Sequence, residues 1–269
     1  IYIITGSSSA NGFSCAISAS GKYMYVSGYG STNYLVYSST YGSTWSYYNV
    51  SPAGILATSA SGQYITLISI TTGFSTISSN YGQTFTLSST VVSNIYDVAM
   101  SSSGQYQVFV RSGVSSLPYY STDFGVTWTP ASSGFAQSYR MIALSATGQM
   151  AMAIGSLVGT DYIFYSTNFG NTWSRLAILG SLRTYTACAL SGSGQYVTVS
   201  DQTGGIYTSK NIDSSLYLSV NTSPEVISFV NDTTTTIHAV TFGRTQVSTS
   251  ALEVYGITAT SGAPPMLIA

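Results

Sequence analysis

A short segment that occurs four times constrains the fold of this chain more than any other feature. In its fullest form it spans residues 120–128 and contains Ser121, Gly125 and Trp128. Short polar residues and a glycine are typical of a tight turn, and the tryptophan offers a large apolar face to a core. We call this segment the Trp turn. Equivalent segments occupy residues 38–45, 78–85 and 166–173, with turn glycines at Gly42, Gly82 and Gly170.

A second motif alternates with the Trp turn along the chain. It reads Ser-Ala-Ser-Gly-Lys-Tyr at residues 18–23, and we call it the Ser-Gly turn. Copies follow at residues 59–64, 101–106, 145–150 and 191–196, so the glycine returns every 41 to 46 residues. An alanine stands two residues before each leading serine. These alanines are Ala16, Ala57, Ala99, Ala143 and Ala189.

The two motifs divide the chain into units of four short strands. In one unit, strands are predicted near residues 98–101, 105–111, 117–121 and 127–130. Such segments are rich in Val, Ile, Tyr and Thr, are bounded by Gly and Ser, and show no sustained helical period. Four strands in about 40–50 residues are typical of a propeller blade. We therefore predict an all-β propeller of four-stranded antiparallel blades, with the recurring alanine on the crowded innermost strand.

The number of blades is predicted from where the repeat weakens. The fifth unit lacks a Trp turn, yet strands are still predicted over residues 226–230, 237–242 and 246–250. Residues 1–5 precede Ser18 at the distance expected of a fourth strand. We favour six blades, with five or seven as alternatives, closed by pairing of the N- and C-terminal strands, which removes open sheet edges. The propeller would span residues 1–250, and residues 251–269 would form a strand and tail.

The polar surface is built from Ser, Thr and Tyr rather than from charges. Charged residues make up 6% of the 269 residues, 23 residues are Tyr, and the formal net charge is −1. An ordinary globular domain has about 25% charged residues. The chain has no basic field for nucleic acid, no polybasic segment for an anionic membrane and no apolar run of about 18 residues. This composition favours an extracellular or virion-surface protein.

The Trp turn resembles the Asp-box, also called the bacterial neuraminidase repeat, of sialidases, sortilin-type receptors, photosystem assembly factors and surface propellers. Its match covers four blades, but only one carries the aspartate, Asp123. Thr40, Asn80 and Asn168 replace it elsewhere, and Phe85 replaces one tryptophan. The alternation with the Ser-Gly turn also looks like repeats in surface proteins of large DNA viruses and bacteria. In the family the box is a structural hairpin away from the ligand site, so the resemblance implies a fold rather than a function.

The charged residues suggest a binding face. In a propeller, the loops from second to third strand and from blade to blade share one face, and most of the charges map there. Tyrosines in such loops can stack on sugar rings. The candidate ligand-binding residues are Tyr29, Asp97, Arg111, Tyr119, Tyr139, Arg140, Tyr162, Arg183 and Arg244. We predict a non-catalytic binding or structural propeller that recognises a glycan, a glycoprotein or other subunits of a surface assembly.

The alternative is a sialidase-like glycoside hydrolase, which needs an arginine cluster, an acid and a Tyr–Glu nucleophile pair. The family's Arg-Ile-Pro segment is absent from this chain. The residues that could supply the chemistry are Asp97, Arg140, Arg183 and Glu225 with Tyr96 or Tyr185.

We predict structural roles for the histidine, the cysteines and the aspartate of the Trp turn. The single histidine, His238, cannot complete a Ser-His-Asp set or a histidine metal cluster. Cys15 and Cys188 are too few for a zinc site, and we expect them to be small buried thiols on equivalent inner strands. We expect Asp123 to bond the amides of its own turn. No metal or cofactor is predicted.

Overall fold

The computed structural model describes residues 11–29, 34–49, 54–69, 73–91, 93–113, 116–135, 137–157, 160–176, 184–203, 205–210, 218–220 and 227–229. In these ranges the regular elements are β-strands, arranged in five antiparallel sheets, four of four strands and one of five. Nothing in the described ranges is a helix long and apolar enough to cross a membrane. The predicted all-β class is confirmed, and each sheet corresponds to one predicted blade.

The strands follow chain order within every sheet. Blade 1 contains β1 (Asn11–Ile17), β2 (Met24–Tyr29), β3 (Tyr34–Ser38) and β4 (Ser46–Asn49). Blade 2 contains β5 (Gly54–Thr58), β6 (Ile65–Ser69), β7 (Phe74–Ser78) and β8 (Thr86–Val91). Blade 3 contains β9 (Ile95–Met100), β10 (Gln107–Arg111), β11 (Tyr119–Ser121) and β12 (Thr129–Pro130). Blade 4 contains β13 (Ser138–Leu144), β14 (Ala151–Leu157), β15 (Thr160–Ser166) and β16 (Ser174–Arg175). Blade 5 contains β17 (Tyr185–Leu190), β18 (Tyr196–Asp201), β19 (Ile206–Lys210), β20 (Leu218–Val220) and β21 (Ile227–Phe229).

The first strand of each blade contacts the first strand of the next, so these strands converge. The recurring alanines lie on them, as predicted. Ser-Gly turns join first to second strands, and Trp turns join third to fourth strands. Both turns therefore lie at one end of the blades, which we call the lower face. The opposite end, where first strands begin and second strands end, is the upper face.

The hydrophobic core is divided into four clusters, each between two neighbouring blades. Phe85, Trp128 and Trp173 of the Trp turns each pack against the preceding blade. Trp128 and Trp173 are 6% and 5% exposed in the clusters between blades 2 and 3 and between blades 3 and 4. Their predicted burial is confirmed. Phe85 and Trp45 are only half-buried, and the neighbour expected beside Trp45 lies outside the described residues.

The Ser-Gly turns connect the blades through their backbones. Within a turn, the serine hydroxyl accepts the amide five residues later, as Ser101 Oγ does from Tyr106 N at 3.1 Å. Between turns, the second residue of each copy donates its amide to the carbonyl of the next copy. These bonds join Ala19 to Ala60, Ala60 to Ser102, Ser102 to Ala146 and Ala146 to Gly192, at 2.8–3.0 Å. One continuous run of hydrogen bonds thus spans five blades on the lower face.

Aromatic pairs reinforce the same junctions. The aromatic residue that ends a Ser-Gly turn stacks on an aromatic residue in the Trp turn of the next blade. The Trp-turn partner has a left-handed backbone, with φ of 61 to 64°, which is uncommon and costly for a residue other than glycine. We infer that stacking offsets this cost. The pairs are Tyr23–Tyr81, Tyr64–Phe124 and Tyr106–Phe169, with ring centroids 4.2–4.6 Å apart.

The C-terminal strands differ from the prediction. A strand forms at Ile227–Phe229, but it pairs with β20 and extends the fifth sheet rather than beginning a sixth blade. The connection through residues 221–226 is short, and short connections favour antiparallel neighbours. The strands expected over residues 1–5, 237–242 and 246–250, and the tail over residues 251–269, lie outside the described residues. The sixth blade and the closure of the ring stay predictions.

Candidate functional site

Charged residues lie mostly at the upper ends of strands in the part of the chain that the structure describes. This matches the face predicted for binding. Lys22, Asp123 and Lys210 lie instead at the lower face. The upper-face charges are Asp97, Arg111, Arg140, Asp161 and Asp201. Arg175 lies lower, opposite Phe164, and its guanidinium reaches up to Tyr162.

Asp97 connects two blades. Its Oδ1 accepts the amide of Val98 at 2.9 Å, and its Oδ2 accepts the amide of Ile142, on the first strand of blade 4, at 3.0 Å. Ser14 holds the equivalent position in blade 1, and its hydroxyl accepts the amide of Leu56 at 3.0 Å. In both blades this position accepts a hydrogen bond from the next blade. Asp97 therefore has a structural role in joining blades 3 and 4.

Asp161 and Asp201 are also used internally. Asp161 accepts the amide of Tyr185 from blade 5 at 2.9 Å and forms an ion pair with Arg140. Asp201 Oδ1 accepts the amide of Gly205 at 2.8 Å and so caps its own loop. Because the three carboxylates already have protein partners, the arginines are the upper-face charges best able to meet a ligand.

A β-bulge occurs at the same place in the first strands of four of the five blades. Bulges redirect a side chain and are frequent at rims and beside active sites. Tyr96 is 54% exposed, Thr186 is exposed, and the side chain of Arg140 is 34% exposed. We call these three residues the bulge set. Arg140 is a predicted ligand-binding candidate and Tyr96 a candidate for the hydrolase, but the sequence gives no signal that the three positions are equivalent. The residue type differs in each blade, and the extra residue is visible only in the pairing.

An aromatic row runs along the junction of blades 3 and 4. Phe135, which is 41% exposed, packs on buried Phe164 with ring centroids 5.2 Å apart. Half-buried Tyr162 meets Phe164 edge-on at 6.2 Å. The guanidinium of exposed Arg175 lies over the Tyr162 ring, 4.9 Å from its centroid. Phe135, Phe164 and Tyr162 form the aromatic row, and Arg175 caps it with a positive charge.

Several buried donors on the upper face lack a partner among the residues that the structure describes. Leaving such a group unpaired costs about 1–3 kcal/mol, so each would gain from a bond to an enclosed water molecule. Trp128 Nε1 is a further buried atom without a partner, but it belongs to a Trp turn. The upper-face atoms are Ser75 Oγ, Arg111 Nε, Gln137 Nε2 and Arg140 Nε.

The predicted tyrosines have different outcomes. Tyr139 is fully buried, and its hydroxyl donates to the carbonyl of Phe135 at 2.6 Å. It is therefore a core residue and not a stacking platform for a ligand, because its place in the first strand turns the ring into the junction of blades 3 and 4. Tyr119 is half-buried and stacks on Phe109 at 5.0 Å. Tyr162 is the predicted tyrosine that lies beside a cation.

The remaining candidates are less well placed. Arg111 is half-buried at the end of β10. Tyr29 lies at the upper end of β2, but its side chain, like Arg183 and Arg244, lies outside the described residues. Glu225 and His238, considered for catalysis, lie outside them too.

Asp97 gives the stability of the fold a specific pH dependence. Burial raises its pKa from 3.8 to about 6, although the two backbone amides lower it. Between about pH 4 and about pH 6 the folded chain keeps a proton that the unfolded chain has lost, so the free energy of unfolding falls as pH rises. We expect a fall of about 2–3 kcal/mol, absent in Asp97→Asn, in urea unfolding across this range.

Asp123 is the control for that measurement. Its two oxygens accept Thr127 N at 2.9 Å and Thr127 Oγ1 at 2.6 Å, as expected for a turn residue. Burial raises its pKa, but bonds from Thr127 and Ser121 outweigh this and lower it. Asp123→Asn should therefore remove a dependence of opposite sign, in which stability is lost as pH falls below about 4. An unchanged slope in Asp97→Asn would contradict the assignment to Asp97.

The cysteines are free thiols. Cys188 is half-buried, and burial followed by the charge of Asp97 raises the pKa of its thiol to about 12, which makes it a poor nucleophile. Cys15 is exposed, so the expectation of two buried thiols is wrong for it. Among the described residues, no group of three His, Cys, Asp or Glu side chains could hold a metal ion.

Comparison with known proteins identifies the fold. No protein-family model and no curated protein sequence matches the chain. The Niastella koreensis GH74 enzyme matches with 15% identity and a TM-score of 0.65 over 77% of this chain and 38% of its own. YCF48 from Cyanidioschyzon merolae matches with 15% identity and a TM-score of 0.56 over 82% and 71%. A chain of the nidogen/laminin complex matches with 11% identity and a TM-score of 0.52 over 74% and 75%.

These likenesses define the class of the protein as a β-propeller. This chain spans 38% of the length of the GH74 enzymes from Niastella koreensis and Xanthomonas campestris. The similar structures include enzymes and YCF48 bound to a D1 peptide, so the fold alone is compatible with catalysis or binding.

Proposed function

We propose that this protein is a non-catalytic binding propeller displayed on a cell or virion surface, and that its upper face recognises a glycan or glycoprotein. The observation that carries the proposal is the aromatic row capped by Arg175. An exposed aromatic surface can stack on sugar rings, and a guanidinium can donate hydrogen bonds to hydroxyl or anionic oxygens. The low charge content and the abundance of Ser, Thr and Tyr support surface display.

A further feature supports the binding role. The bulge set places exposed Tyr96 and Thr186 and partly exposed Arg140 at the upper ends of first strands. We also propose that the Trp turns are Asp-box repeats, since the bonds from Gly125 N to Ser121 Oγ and from Thr127 N to Asp123 are local and structural.

The test is a glycan array combined with binding to cell surfaces, using the full chain. We expect Tyr162→Leu to weaken binding about tenfold or more, because it removes the stacking ring. Tyr196→Leu is the matched control, since Tyr196 is 54% exposed at the opposite end of a strand in blade 5. Melting curves would verify that both variants fold. Absence of any glycan or cell-surface signal, or equal binding by both variants, would refute the proposal.

A hydrolase is the second candidate, favoured by one observation. A carboxyl group with a pKa of about 6, such as Asp97, is suited to acid–base chemistry. Against this, both Asp97 oxygens accept backbone amides, and Asp161 is engaged by Arg140. A fluorogenic sialoside assay distinguishes the two functions. Turnover that disappears in Asp97→Asn or Glu225→Gln would replace the binding proposal with the hydrolase.

A further inference from the structure

We propose that the ligand of the upper face is an acidic saccharide, with a carboxylate or sulfate ester on the sugar, and that Arg175 over Tyr162 recognises it. This inference rests on the proposed function and names its ligand class. Arg175 is exposed, and its guanidinium lies over the Tyr162 ring. The one ion pair in the described part of the chain joins Arg140 to Asp161, so Arg175 has no carboxylate partner there.

The surroundings of Arg175 leave its charge available. A guanidinium over an aromatic face uses its π surface and keeps its N–H donors for bidentate bonds to a carboxylate or sulfate. The upper-face carboxylates do not compete for these donors, because Asp97, Asp161 and Asp201 bond backbone amides or Arg140. The chain has only seven lysines and arginines, and Arg175 has no carboxylate partner among the described residues. Such a cation beside a partly exposed aromatic row indicates an anionic group in the ligand.

The aromatic row supplies the second half of the recognition. Exposed Phe135 and half-buried Tyr162 are joined through Phe164, so an apolar surface lies next to the guanidinium. A sugar ring can stack on this surface while its anionic substituent reaches Arg175. A neutral saccharide would use the rings but leave the guanidinium without an ionic partner.

Lys22 and Tyr23 on the lower face make a similar cation–aromatic contact and provide a control for Arg175 and Tyr162. Lys22 lies over the Tyr23 ring at 5.2 Å, but that ring is already stacked on Tyr81 at a blade junction. Lys22→Gln and Arg175→Gln remove the same charge from opposite faces. If the two variants bind a saccharide with different affinity, the difference is due to the location of the charge and not to the net charge of the protein.

The experiment measures binding of the full chain to polygalacturonate, dextran sulfate and neutral dextran at two salt concentrations. We expect at least one acidic polymer to bind more tightly than dextran, and binding to weaken with salt. Arg175→Gln should weaken binding of the acidic polymer about tenfold or more. Arg175→Lys should restore only part of the lost affinity, because lysine cannot make the bidentate hydrogen bonds of arginine. Lys22→Gln should stay within about twofold of the wild type. The two acidic polymers distinguish a carboxylate from a sulfate ester.

Binding by Arg175→Gln equal to that of the wild type, or equal affinity for dextran, would overturn the inference. Failure here is distinguishable from failure of the proposed function. Binding of a neutral glycan that depends on Tyr162 but not on Arg175 would leave the proposed function standing and remove the acidic ligand. No saccharide binding at all would remove both.

Discussion

Trp173→Ala is expected to lower the free energy of unfolding by about 3–5 kcal/mol, because the indole is 5% exposed within the core between blades 3 and 4. Its Nε1 also donates to the carbonyl of Gly170 at 2.8 Å. Chemical denaturation followed by circular dichroism would measure the change.

Trp45→Ala is the control for Trp173→Ala. The Trp45 indole makes the equivalent bond to Gly42, at 3.0 Å, but is only half-buried. The two substitutions thus differ mainly in how much buried apolar surface they remove. Trp45→Ala should lower the free energy of unfolding clearly less than Trp173→Ala. Equal losses would show that burial between blades is not what the Trp turn contributes.

Gly148→Ala is expected to destabilise the protein strongly for a different reason. Gly148 has a φ of +81°, and a Cβ there would lie 2.5 Å from Tyr106 Cβ. Tyr106 cannot easily yield, because its ring is stacked on Phe169 at 4.2 Å. The left-handed backbone costs about 1–2 kcal/mol for alanine, and the overlap adds about 1–3 kcal/mol. Thermal and urea unfolding would measure the sum.

Gly21→Ala separates the two contributions. Gly21 occupies the same position of the Ser-Gly turn with a φ of +74°, but a Cβ there would meet nothing within 4 Å. Gly21→Ala should therefore lower the free energy of unfolding only by the cost of the left-handed backbone, about 1–2 kcal/mol. If both alanine variants lost the same stability, close packing between Tyr106 and the next blade's glycine would not be a source of stability.

Features with local hydrogen bonding are the ones that the sequence predicts well. Ser121 Oγ accepts Gly125 N at 2.9 Å, four residues away, so Ser and Gly spacing alone identifies this hairpin. The Ser-Gly turn closes over five residues in the same way, as from Tyr106 N to Ser101 Oγ. Because these two turns end alternate strands, they also predict the order of strands in each sheet and the face that carries most of the charges.

Features that depend on packing between blades or on the pairing register of the strands could not be predicted in the same way. Tyr139 reads as a loop tyrosine, but packing against blade 3 buries its ring. Arg140 is redirected by a bulge whose extra residue is visible only in the pairing of β13 with β14. The position of Arg175 over Tyr162 depends on the register between the third and fourth strands of blade 4. The spacing of residues along the chain contains no pattern for such contacts.

Hydrogen–deuterium exchange of the full chain, with and without a bound saccharide from the array, tests most directly whether the upper face is the binding face. Binding should slow exchange in the upper halves of β13 and β15, where Arg140 and Tyr162 lie, and at Arg175 in β16. Exchange in the Trp turns of the lower face should stay unchanged. Protection confined to the Trp turns or the Ser-Gly turns would contradict the assignment of the binding face.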